Sequence, residues 1–155
     1  MVKNSYPELP EIAYKRTSVE MPLVVIYAKS LQEKYPAQVL GMAYAIFRNE
    51  SGNGSKGVNN NYAGIQADSG RWTSLPGMPI GTCIKVDSGK KERRFLCFDE
   101  NGYKVSFELL CIKVQKREMA NADDYFNKWV GNKHPTATEY GNFESLLKSG
   151  RRVFI

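Results

Sequence analysis

The sequence predicts an α+β domain, mainly helical, with a small β-hairpin lobe. Three observations predict it. Two segments opened by Pro22 and Pro36 are long enough for helices, and the second carries apolar residues at helical spacing. Between Gly81 and Val114 short apolar runs alternate with turn residues. The tail from Asn121 to Lys148 returns to helical patterning. A chain of 155 residues has room for one compact domain, and 42% hydrophobic with 12% aromatic content excludes a wholly disordered chain. No run approaches the roughly 18 apolar residues of a membrane span.

Residues 1–20 are polar, contain Pro7 and Pro10, and read as an extended N-terminal arm. Residues 21–155 then form the single domain. Pro22 suits the first turn of a helix running to about Lys34, and Pro36 opens another from Ala37 to about Ser51. Gly52 and Gly54 terminate that second helix, and residues 52–62 form a loop of Gly, Ser and Asn. Cys83-Ile84-Val86, Phe95-Cys97 and Tyr103-Val105-Phe107 are the short apolar runs. Asp87-Ser88-Gly89 and Asp99-Glu100-Asn101-Gly102 divide them, giving a hairpin or a three-stranded sheet, with Phe107 to Val114 equally compatible with helix. Asn121–Val130 and Glu139–Lys148 read as two short helices around a break from Gly131 to Pro135.

Twenty-two Lys and Arg against sixteen Asp and Glu give a net charge of +6, and the pI is about 9.2. Such a surface favours polyanions: nucleic acid, anionic lipid or bacterial cell wall. No nucleic-acid motif accompanies the basic runs at 90–94 and 113–117, so nucleic acid is not the expected partner. The run at 90–94 reads as a solvated hairpin tip. Cys83, Cys97 and Cys111 form no CxxC pair and sit in apolar stretches, as buried free thiols do. His134 is a lone loop residue, so neither a metal nor an organic cofactor is expected. The first ten residues lack the charged head and apolar body of a secretory signal. The expectation is a monomer that reaches a bacterial wall by another export route, after signal removal, by injection or on a phage.

The second helix carries the candidate catalytic residue. Val39, Ala43, Ile46 and Glu50 fall on one helical face, with Glu50 at its C-terminal end. If Glu50 points toward the core, desolvation and the helix dipole both favour its protonated form, as a glycosidase acid requires. Otherwise it turns outward at a frayed helix end.

The residues that follow carry a resemblance. Asn49-Glu50-Ser51-Gly52, a polar loop, and Asn60-Asn61-Tyr62-Ala63-Gly64-Ile65-Gln66-Ala67-Asp68 resemble the peptidoglycan-cleaving branch of the lysozyme-like superfamily. The block is similar to the endo-β-N-acetylglucosaminidases of glycoside hydrolase family 73, over roughly residues 23–114 and most specifically over 43–68. The resemblance implies a lysozyme-like fold with the cleft beside the hairpin lobe, acting on the β-1,4 bond of peptidoglycan glycan strands. It puts the catalytic acid on Glu50, the Asn-Asn pair on Asn60 and Asn61, the aromatic on Tyr62, and Gly-Ile on Gly64 and Ile65. Gln66 stands where the family usually has lysine and is closer to the Gly-Leu-Met-Gln of lytic transglycosylases; no Thr-Asp-Pro-x-Tyr segment is present.

Asp68, Asp87 and Glu92 are the candidates for a second carboxylate. A base would stand about 6.5–9.5 Å from Glu50 for inversion, or nearer 5 Å for a retaining nucleophile. An acetamido sugar supplying its own nucleophile needs neither. Tyr62 and Trp72 are candidate sugar-stacking platforms. Asn61 either bonds an acetamido group or shapes its own loop, and Ser51 caps or orients the acid. The competing readings are a lytic transglycosylase and a non-catalytic wall-binding module.

Overall fold

The fold was obtained as a computed structural model that describes residues 2–87 and 89–155. Met1, and Ser88 of the expected hairpin turn, lie outside the described residues. The architecture is α+β: a helical body with two small two-stranded sheets beside it.

Helix α2, Ala37–Ser51, is the axis of the body. Every residue from Leu40 to Phe47 is buried, so α2 is enclosed on all sides rather than along one stripe. It begins after Pro36 and ends at Gly52, whose φ of 56° is the left-handed geometry a glycine supplies without strain. Helix α1 spans Met21–Ser30 and stops short of Lys34, the last residues before Pro36 being turns. Helix α3 spans Gly102–Arg117 and packs on α2, with Phe107 against Phe47 at 6.2 Å between ring centroids. Tyr103-Val105-Phe107 is therefore the first two turns of α3, not a third strand.

A short helix α4, Ala122–Asp124, continues as a wider π-helix over Tyr125–Val130. Helix α5, Ala137–Val153, is longer than expected at both ends and crosses α2 closely. Strands β1 (Arg16–Thr17) and β2 (Gly57–Val58) pair antiparallel, as do β3 (Gly81–Val86) and β4 (Glu92–Cys97). In the hairpin Gly81 faces Cys97 and Val86 faces Glu92.

Residues 2–20 are mostly extended, and they are tied along the lobe rather than projecting from it. The amides of Ser5, Ile12 and Val19 donate to carbonyls of Ala67, Thr82 and Gly54, and Tyr6 is buried. A second apolar cluster of Tyr6, Ile65, Leu96, Phe98 and Leu109 underlies this region. Cys83, Cys97 and Cys111 are free and buried. No helix of the described residues is long and apolar enough to cross a membrane.

Candidate active site

Glu50 occupies the last turn of α2, where the helix leaves the core. Phe47 is fully buried, Arg48 half-buried, and Asn49 and Glu50 exposed. The apolar face running through Val39, Ala43 and Ile46 thus ends before it reaches the carboxyl. Of the two courses open to Glu50 the structure shows the outward one: Asn49 and Glu50 face solvent in the last turn, while Ser51, one position on, is buried again.

The carboxyl is nevertheless held. The Tyr125 hydroxyl donates to Glu50 Oε1 at 2.9 Å, and the Trp129 indole Nε1–H donates to the same oxygen at 3.2 Å. Asn49 Nδ2 in turn donates to the Tyr125 oxygen at 2.8 Å. Tyr125 is itself buried, its ring stacked on Phe143 with centroids 3.8 Å apart and planes within 5°. Burial, and then the charge of Glu50, push the Tyr125 hydroxyl above its ordinary pKa, so it remains a protonated donor. Trp129 is half-buried, with the Arg117 guanidinium 5.1 Å from its ring centroid. Both aromatics come from one stretch of π-helix, a geometry frequent at functional sites.

Asn49, Tyr125 and Trp129 escape the sequence reading. Tyr125, which bonds Glu50, follows Asp123 and Asp124 in a segment that is not Thr-Asp-Pro-x-Tyr. The available signal was the spacing of Tyr125 and Trp129, one helical turn apart in a segment already read as helical.

The other expected site residues separate from Glu50 or turn inward. Ser51 is buried, donating to the Phe47 carbonyl and accepting from the Gly54 amide, so it shapes the helix end. Tyr62 is only 3% exposed and stacks on Phe47 at 5.6 Å; it belongs to the core and offers no sugar platform. Burial, opposed by a bond with Thr17, pushes its hydroxyl pKa up. Asn61 is buried and fully used in tying its loop to itself and to β4: Nδ2 donates to the Ile65 and Leu96 carbonyls, and Oδ1 accepts from the Ala63 and Ile65 amides. Asn60, at φ 64°, ties its Nδ2 to the Phe98 carbonyl. Gly64 is exposed with positive φ, and a side chain there would meet nothing within 4 Å.

Asp68 is chelated by Arg93, Nε to Oδ2 at 2.9 Å and Nη2 to Oδ1 at 3.2 Å, and Oδ2 also accepts the Arg94 amide. The Arg93 bonds hold its carboxyl below the usual range against the effect of burial, which makes it a structural anion and a poor base. Asp68 and Glu92 line one groove of about 690 Å³ with Lys3, Lys91 and Arg93. Gln66 and Trp72 line another of about 300 Å³, where the Trp72 indole donates to the Gln66 carbonyl. Glu50 lines neither. Asp87 sits at the hairpin tip, accepting the Gly89 and Lys91 amides. The basic run 90–94 is not wholly solvated: Arg94 is buried, bonding Glu11, Thr82 and the Lys3 carbonyl. His134 lies in an exposed loop.

The chain matches no family model, no curated protein and no solved structure.

Proposed function

We propose that the protein is a peptidoglycan hydrolase that cleaves the β-1,4 glycosidic bond of the glycan strand, as an endo-β-N-acetylglucosaminidase does, with Glu50 as general acid. One observation carries the reading. A carboxyl at the end of the central helix reaches solvent while a buried tyrosine and a half-buried tryptophan fix one of its oxygens. The resemblance of residues 43–68 to glucosaminidases supports the choice of substrate.

In this reading the Glu50 proton passes to the glycosidic oxygen as the bond from C1 to that oxygen breaks. The strand lying over the exposed carboxyl displaces the water that the free protein leaves around it. Trp129, half-buried beside the acid, takes the stacking role expected of Tyr62. Asp68 is committed to Arg93, which favours a mechanism with one essential carboxylate. The substrate acetamido oxygen then attacks C1, and Glu50 removes a proton from the water that opens the intermediate. The same commitment of Asp68 supports the transglycosylase alternative, in which the sugar's own C6 hydroxyl closes on C1 and its proton passes back to Glu50.

Glu50→Gln keeps the shape and removes the transferable proton, so it is expected to cut wall hydrolysis at least ~100-fold with the fold intact. Mass spectrometry of muropeptides released from purified peptidoglycan reads the outcome. Reducing ends support the hydrolase and 1,6-anhydro ends the transglycosylase. No release by the wild type, or equal release by Glu50→Gln, rejects catalysis by Glu50.

A further inference from the structure

We infer that Asn49 is a positioning residue that commits the Tyr125 proton to Glu50 Oε1, so that Oε2 is the oxygen that carries and delivers the acid proton. The inference rests on the proposed catalytic role of Glu50 for its activity readout, but its hydrogen-bond logic does not.

An ionised carboxylate only accepts, so at 2.9 Å the Tyr125 hydroxyl must donate to Oε1. The phenol has one proton and has now used it. The Asn49 amide 2.8 Å away must therefore present its NH2 group, which fixes the amide orientation and fills a lone pair of the phenol oxygen. Stacking on Phe143 holds the Tyr125 ring, leaving rotation of the hydroxyl as its remaining freedom. Asn49 removes that freedom. With the Trp129 indole also donating, Oε1 has two donors aimed at it. A proton arriving on Oε1 would displace one of them, whereas a proton on Oε2 leaves all three bonds in place. The three side chains thus distinguish the two carboxyl oxygens before substrate arrives.

Asn49 is exposed, so its variants are expected to fold, and melting temperatures check this. Asn49→Leu removes the donor at similar volume, and is expected to lower kcat about tenfold with KM unchanged. The same substitution in a Tyr125→Phe background is expected to cost nothing further, because Asn49 acts only through that hydroxyl. Asn49→Gln, which retains an amide donor, is expected to recover part of the loss. Costs that multiply in the double variant, or a wild-type kcat in Asn49→Leu, overturn the inference.

A second readout does not need activity. Trp72 and Trp129 are the two tryptophans, and only Trp129 donates its indole to Glu50. In a 1H–15N spectrum the indole peak moved by Glu50→Gln identifies Trp129. Asn49→Leu and Tyr125→Phe are expected to shift that peak alike, with no further shift in the double variant. An unmoved peak in Asn49→Leu overturns the relay even in a fully active enzyme. If the wild type releases no muropeptide while the peak behaves as expected, the relay stands and the catalytic reading falls.

Discussion

Asp68 shows at the level of one residue how an acid beside a motif can be structural. Its side chain is 7% exposed and three donors converge on it: two from Arg93 and the Arg94 amide. Asp68→Asn is expected to cost about 1–3 kcal/mol near pH 7, since the lost bonds are charge-assisted. The pH dependence has a definite sign. The folded-state pKa is lowered below the unfolded value of about 3.9, so the carboxylate stabilises the fold fully above that pH. The contribution fades as pH falls through the lower folded value. Denaturant midpoints of wild type and Asp68→Asn should differ at pH 7 and converge as pH falls through the lowered folded value. A constant gap down to pH 2 would show that the charge is not what matters. Sequence alone gave no access to this pairing, because Arg93 is 25 positions away and meets Asp68 only once the hairpin has docked.

Helix α2 was legible to the residue because its ends are set by local chemistry, Pro36 before it and a left-handed Gly52 after it. Helix α3 was not. Tyr103-Val105-Phe107 alternates over five residues, too short a run to separate strand from helix, and Asn101 makes no side-chain cap to announce the start. The start of α5 is set by local chemistry that the sequence carries: Thr136 and Glu139 form a reciprocal capping box. At the site, Glu50 could be placed on its helix, but its outward turn depends on how far α2 is enclosed by α3 and α5, which no spacing encodes. The α2–α5 crossing itself rests on two small residues. A Cβ on Gly150 would lie 2.5 Å from the Gly41 carbonyl oxygen, backbone that cannot swing aside. Gly150→Ala should gain intrinsic helix propensity yet lose about 1–3 kcal/mol overall as the helices are forced apart. Thermal unfolding decides between the two effects, and a rise in melting temperature would show that the crossing is looser than its geometry.

At the scale of the whole molecule the question is what the basic surface would do under the proposed function on an anionic wall. Among the described residues five ion pairs are present, and each removes one charge of either sign, so pairing leaves the excess of +6 untouched. That excess is available to a polyanion as long-range attraction, screened over about 10 Å at 0.1 M salt and about 3 Å at 1 M. The proposed chemistry at Glu50 is local by comparison: its oxygen is fixed by donors at 2.9 and 3.2 Å, well inside any screening length. Salt should therefore separate the two functions. Raising ionic strength from about 0.05 to 0.5 M is expected to lower kcat/KM on intact anionic walls by about tenfold. The kcat on a saturating, uncharged chitooligosaccharide should stay within about twofold, because encounter no longer limits it. Equal loss on both substrates would place the salt-sensitive charges within the catalytic step and contradict a division between long-range steering and the proposed local chemistry.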